Sequence, residues 1–111
     1  MISFLHEEIG DNEVFTACDK ETVLAKCTYS AKTAEIFDVE IFDCPDVLVD
    51  GLIKSVLSRL DYMGKVDVFS ENKALYPLLE RLKFEEKDGV MKVNTVGYFK
   101  KSCEEFNKNE K

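Results

Sequence analysis

Between Asp43 and Gly64 the apolar residues fall at Val49, Leu52, Ile53, Val56, Leu57, Leu60 and Met63, the i, i+3, i+4, i+7 spacing of a helix with one broad buried face. Everything before it alternates with period two, as strands do. Residues 2–9 set Ile2, Phe4 and His6 against Ser3, Leu5 and Glu7 and stop at the turn residues Gly10, Asp11 and Asn12. Residues 13–18 resume the pattern, Asp19-Lys20-Glu21 turns the chain again, and residues 22–30 place Val23, Ala25, Cys27 and Tyr29 on one side. After Ala31-Lys32-Thr33 a fourth strand puts Phe37, Val39 and Ile41 on one face and Ile36, Asp38, Glu40 and Phe42 on the other. Four strands joined by tight turns predict an antiparallel meander.

Gly64 closes the long helix in the manner of a C-terminal glycine. Residues 65–69 then form a strand with Val66 and Val68 inward. A full helix separates this strand from the fourth, so the two lie parallel. Ser70-Glu71-Asn72 is a second strand-to-helix corner, and Leu75, Leu78, Leu79 and Leu82 form the stripe of a shorter helix. Pro77 belongs in the first turn of that helix, so its regular part starts near Tyr76. Residues 83–93 read as a hairpin turned at Asp88-Gly89, and Val96, Phe99, Cys103 and Phe106 keep helical spacing after Asn94 and Thr95. The fold class is α+β: a mixed sheet made of an antiparallel N-terminal meander, a helix crossover between two parallel strands, and a C-terminal hairpin and helix.

Composition narrows the function. A chain of 111 residues is expected to form one domain over 1–111 around one core. Its net charge of −7 repels nucleic acid and anionic lipid, and no apolar run approaches the roughly 20 residues of a membrane span. The N-terminus lacks a basic start and a sustained apolar stretch, so the expected compartment is the cytoplasm. Cys18, Cys27, Cys44 and Cys103 form no C-x-x-C pair, and with His6 as the sole histidine no metal site is expected. Cys44 stands at the strand-to-helix junction, where a helix dipole lowers a thiol pKa.

That junction carries the candidate chemistry. A strand runs through Pro45 into a helix N-terminus whose unpaired N–H groups and dipole favour an anion, and Gly51 near the start lets a ligand approach the backbone. With the element order, these residues make the chain resemble the GNAT-type, acetyl-CoA-dependent N-acetyltransferase superfamily over about residues 22–93. That family's cofactor signature places a proline and then Gln/Arg-x-x-Gly-x-Gly/Ala at such a helix start. Pro45 matches the proline, Gly51 the first glycine and Val56-Leu57 the following apolar pair, while Leu48 replaces Gln/Arg and Ile53 the last small residue. In the family's second motif, Asn-x-x-Ala, Tyr, Gly-Phe, Asn72 and Phe84 match, whereas Leu75, Leu79 and Lys83 replace the Ala, Tyr and Gly. The two helices that family members place between their first two strands, beside the acceptor substrate, are replaced here by Gly10-Asp11-Asn12.

The resemblance implies acetyl-CoA as co-substrate and an amine, such as a protein or peptide amine, as acceptor. It implies backbone groups of Val39 and Ile41 along the pantetheine arm, N–H groups of Val49, Asp50, Gly51 and Leu52 at the diphosphate, and Asn72 beside the cofactor. Asp50 opposes that role through its charge. Glu40, flanked by Ile36 and Phe42 and two residues from Asp38, is the candidate base, and Tyr76 stands in for the general acid. The alternatives are a non-catalytic acyl-CoA-binding module, or a homodimeric interaction protein using its exposed sheet, its acidic rim and a C-terminal helix with Tyr98, Phe99 and Phe106.

Overall fold

The computed structural model describes residues 2–96 and Tyr98. Strands β1 (Ile2–Ile9), β2 (Asn12–Asp19), β3 (Thr22–Ser30) and β4 (Glu35–Ile41) lead into helix α1 (Asp46–Tyr62). Strand β5 (Asp67–Ser70), a 3-10 turn (Lys73–Leu75), helix α2 (Tyr76–Arg81) and strands β6 (Glu85–Lys87) and β7 (Val90–Asn94) follow. One sheet holds all seven strands in the order β1-β2-β3-β4-β5-β7-β6, with β4 and β5 its parallel pair. The C-terminal helix expected over Val96 to Phe106 lies, apart from Val96 and Tyr98, outside the described residues.

The local chemistry of the turns explains this order. Gly10, at φ +62°, opens the two-residue turn between β1 and β2, and Asp88 (φ +55°) with Gly89 (φ +78°) forms the mirror-image turn that suits a hairpin's twist. Gly64 takes φ +82° after α1, where the N–H of Lys65 donates back to the carbonyl of Leu60 at 2.8 Å. Pro77 occupies the first turn of α2, where its missing N–H costs nothing.

Helix α1 lays Val49, Leu52, Ile53, Val56, Leu57 and Leu60 on the sheet, all fully buried. They meet Ala25, Cys27 and Tyr29 of β3, Ile36 of β4 and Val68 of β5, with Leu79, Leu82, Phe84 and Met91 closing the far side. Met63, expected in that stripe, lies past the helix end and is exposed. Val66, expected inward on a strand, precedes β5, whose ladder takes in Ser70 instead.

Strict alternation fails at two bulges. Between Ala17 and Cys18 the β2–β3 register skips Leu24, which turns into the core and leaves Val23 only half-buried. Between Thr28 and Tyr29 the β3–β4 register skips Phe37. Ile36 and Val39 therefore both face α1, while Phe37, Asp38 and Glu40 are exposed. The expected grouping of Phe37 with Val39, and of Ile36 with Glu40, is corrected by this one extra residue.

A second finding was hidden in the sequence. Glu13 is buried at the start of β2, and its Oε1 accepts from His6 Nε2 at 2.6 Å, Tyr29 Oη at 2.7 Å and Arg59 Nε at 3.3 Å. An ionised carboxylate only accepts, so Nε2 of His6 carries the hydrogen. Arg59 also reaches Glu8 at 3.6 Å, and the ring of Phe15 lies between those of His6 and Tyr29. Burial by itself raises a carboxyl pKa, but the three donors and the Arg59 charge outweigh it and hold Glu13 below the usual carboxylate range. Burial and the adjoining carboxylate push the Tyr29 phenol up.

A depressed carboxylate pKa contributes stability that is complete above the unfolded value, about 4.3, and is lost as pH falls through the lower folded value. Glu13→Gln is expected to cost about 1–3 kcal/mol at neutral pH. It should also flatten the acid limb of stability against pH in urea unfolding; a variant with the native slope would show that Glu13 is not the group responsible.

Candidate active site at the parting of two strands

Strands β4 and β5 share a single register pair, Glu35 with Phe69, beside the bond from the Phe69 N–H to the Ala34 carbonyl at 3.1 Å. Beyond it the strands part. Side chains from the end of β5 take the carbonyls that a longer ladder would have paired: Ser70 Oγ donates to Ile36 O at 2.8 Å and Asn72 Nδ2 to Phe37 O at 2.9 Å. Asn72 Oδ1 meanwhile accepts from the Ala74 N–H at 3.1 Å and caps the 3-10 turn. Asn72, placed beside the cofactor by the family motif, thus has its amide engaged in holding the gap open.

The phase of β4 follows from its other neighbour. The Phe42 N–H donates to Leu24 O at 2.9 Å, so Ile41 and Val39, which face Ala25 and Cys27, aim their own N–H and C=O groups away from β3 and into the gap. One of these donors is engaged, because the Val39 N–H is held by Asp38 Oδ1 at 2.9 Å.

Helix α1 begins at the mouth of this notch. Pro45 precedes it in extended conformation with no side-chain cap. The Leu48 and Val49 N–H groups both donate to Pro45 O, at 3.0 and 3.1 Å, and Asp50, Gly51 and Leu52 follow within the helical ladder. The open donors are therefore those of Asp46 and Val47, one turn before the Val49–Leu52 stretch expected to supply them. Gly51 lies in the second turn, where an added Cβ would stand 3.3 Å from the Phe4 ring: the close approach it allows is to β1. Leu52 is buried in the core. Asp50 accepts from Arg81 Nε at 3.1 Å, and Asp46 lies 3.7 Å from the same guanidinium, so α2 partly neutralises both acids beside the open donors. Cys44 gains no thiolate character from the helix end; burial, with Asp43 and Asp46 nearby, holds its thiol above the ordinary range.

The acid-base candidates occupy different settings from those expected. Glu40 is exposed opposite Lys26, and the bulge has moved Ile36 to the other face, so the apolar surround expected for this carboxylate does not form. Half-buried Glu35 stands instead where the strands part, paired with Ser30 and Phe69. Burial, and then the nearby Glu71 carboxylate, hold Glu35 above the usual range. Nothing in the alternation of β4 marked Glu35, because its surround comes from β5. Tyr76 Oη donates to the Gly89 carbonyl at 2.6 Å, which commits its proton to the β6–β7 turn.

A concavity of about 1100 Å³ lies beyond the α1–α2 seam. Lys54, Arg81, Lys83, Lys87 and Lys92 line it with Asp50, Asp67, Glu85 and Tyr98. It is a wide trough of surface charge, whereas the notch gathers unpaired backbone donors, a helix N-terminus and a carboxyl of raised pKa, the ingredients that chemistry requires. No group of three or more His, Cys, Asp or Glu side chains suited to a metal ion occurs among the described residues, and no described helix is long and apolar enough to cross a membrane.

No family model and no curated protein matches the sequence. Among solved structures, the solution structure of YhhK from E. coli, a proposed N-acetyl transferase determined with coenzyme A bound, superposes with a TM-score of 0.63 at 12% identity. The match covers 79% of this chain and 75% of that one. The chain has the GNAT-like fold, an α+β architecture whose mixed sheet parts between the same two parallel strands that the helix crossover joins.

Gly51 offers a check on the site's geometry. In a helix interior Gly→Ala gains up to about 1 kcal/mol, provided the neighbour can yield. Phe4 is the end of a flexible side chain on an edge strand, so Gly51→Ala is expected to raise the urea midpoint of unfolding; a lowered midpoint would mean that the Phe4 ring is held against the helix.

Proposed function

We propose that the protein binds an acyl-CoA thioester in the β4–β5 notch and transfers its acetyl group to an amine. The observation that carries this reading is the parting of β4 from β5 after one pair, which leaves the outward backbone of Val39 and Ile41 beside the open N–H groups of Asp46 and Val47. The pantetheine amides pair with β4 as a missing strand would, and the diphosphate lies at the α1 N-terminus. Likeness of fold to a protein solved with coenzyme A supports a CoA ligand. The lysines of the neighbouring trough suit the nucleotide phosphates. Attack by a neutral amine on the thioester needs a proton acceptor and a donor at the carbonyl oxygen. Glu40 serves as that acceptor through water at the notch mouth, Glu35 is a second acceptor deeper in, and the Ile41 N–H polarises the carbonyl.

A second reading, binding without turnover, has an observation of its own. The Tyr76 hydroxyl is committed to Gly89, so the departing thiolate has no evident acid among the described side chains.

Calorimetric titration with CoA and acetyl-CoA tests binding, and no heat at millimolar ligand would overturn both readings. Asp38→Ala should tighten CoA binding by about three- to tenfold, because it frees the Val39 N–H and removes a negative charge. Thiol release from acetyl-CoA with a panel of amines and peptides separates the readings. In the enzyme, Glu40→Gln slows turnover by about a hundredfold or more with CoA affinity unchanged, and Glu35→Gln does so if the deeper carboxyl is the base. Binding without release in the native protein leaves the non-catalytic reading.

A further inference from the structure

The two edges of the sheet are built differently. Edge strand β6 is three residues long, Glu85-Glu86-Lys87, and all three are exposed and charged, the usual protection against pairing with another chain. Edge strand β1 runs eight residues without proline, lysine or bulge, paired with β2 along its whole length. Its apolar side chains are open on both faces: Ile2 38%, Phe4 39%, Leu5 53% and Ile9 57% exposed. The two-residue turn makes Ile9 and Asn12 the closing hydrogen-bonded pair, so Ile2, Phe4, His6 and Glu8 direct their N–H and C=O groups outward, away from β2.

We propose that β1 is the surface through which two copies of this chain associate, pairing antiparallel about a two-fold axis at Leu5 to continue the sheet across both molecules. The sequence of β1 selects a second copy and fixes the register. A two-fold normal to the sheet keeps like faces together, so each residue faces one of the same face. Centring on Leu5 sets Leu5 against its twin, Phe4 against His6, Ser3 against Glu7 and Ile2 against Glu8, with no like charges opposed. A centre at Phe4 would pair only residues 2–6, one at His6 would place Glu7 against Leu5 and Glu8 against Phe4, and one at Glu7 would oppose two carboxylates. In the Leu5 register Phe4 of the second copy lies against His6 and extends the ring row that His6, Phe15 and Tyr29 already form, with centroid spacings of 5.1 and 6.2 Å. Gly51 and Ser55, on the flank of α1 beside Phe4, keep bulk away from this edge.

The test is sedimentation equilibrium on the full chain, supported by cross-linking. The native protein is expected at twice its 12.7 kDa mass at about 100 μM. Leu5→Lys, at an exposed position that the fold tolerates, is expected at the monomer mass with an unchanged circular dichroism spectrum. Leu5→Cys stands opposite itself at about 4.5 Å between α-carbons, within disulfide range, and should form a covalent dimer on mild oxidation beyond any formed by the native chain. Ser3→Cys, about 13 Å from its twin, should not. A monomer at that concentration, a dimer unaffected by Leu5→Lys, or cross-linking of Ser3→Cys in place of Leu5→Cys would each overturn the proposal.

Discussion

The site depends on how β4 leaves β5. A strand that stops pairing leaves N–H and C=O groups unpaired, and where these are buried the cost reaches several kcal/mol unless something else bonds them. Here the bulge at Phe37 bends β4 away, and Ser70 and Asn72 take the first two carbonyls released. The gap therefore opens without an orphaned group at its apex, and farther along the backbone faces water or a ligand. One unpaired residue and two polar side chains thus convert the middle of a sheet into a slot edged by free backbone groups.

The helix that aims at this slot is tied at both ends, by interactions of unequal weight. Toward its C-terminus Arg59 meets the buried Glu13 carboxylate, which His6 and Tyr29 also hold. At its N-terminus Asp46 and Asp50 meet Arg81 in the open, where an ion pair contributes little. The direction of α1 is therefore set by its apolar face and by the Glu13 cluster at the far end of the sheet. The Arg81 pair has a different consequence: it tempers the field of two acids beside the open donors of Asp46 and Val47.

Much of this was legible in the residues. The period of α1, the Asp88-Gly89 turn, Pro77 at the head of α2 and the parallel pairing of the strands on either side of α1 all follow from local rules, and they suffice to give the GNAT-like order. What stayed hidden has several physical origins. Alternation assumes one residue per pleat, so the extra residues at Leu24 and Phe37 reassign every side chain on one side of each bulge, and with them the setting of Glu40. The surrounds of Glu13 and Glu35 come from elements distant in sequence, Arg59 in one case and β5 with Glu71 in the other. A charged residue at a strand start reads as solvated until those partners are placed. The helix does start just past Pro45, but the family motif laid on Gly51 set the diphosphate donors at Val49–Leu52, whereas the ladder that begins at Pro45 O leaves Asp46 and Val47 as the free ones.

The turn at Gly10-Asp11 joins the notch and the edge in one constraint. Two residues suffice to connect β1 to β2, so the chain has no helix there to lie over β1 or beside the slot. The sheet ends in a bare strand with four exposed apolar side chains, and one flank of the notch is left wide. A bare edge of eight residues holds a row of unpaired donors and acceptors, a ready template for pairing with another chain. A second copy fits that template with no added sequence, because Leu5 lies at the centre of a self-complementary run over residues 2–8. A two-fold normal to the sheet sets the copies edge to edge, so both slots, lying three strands from the axis, stay open.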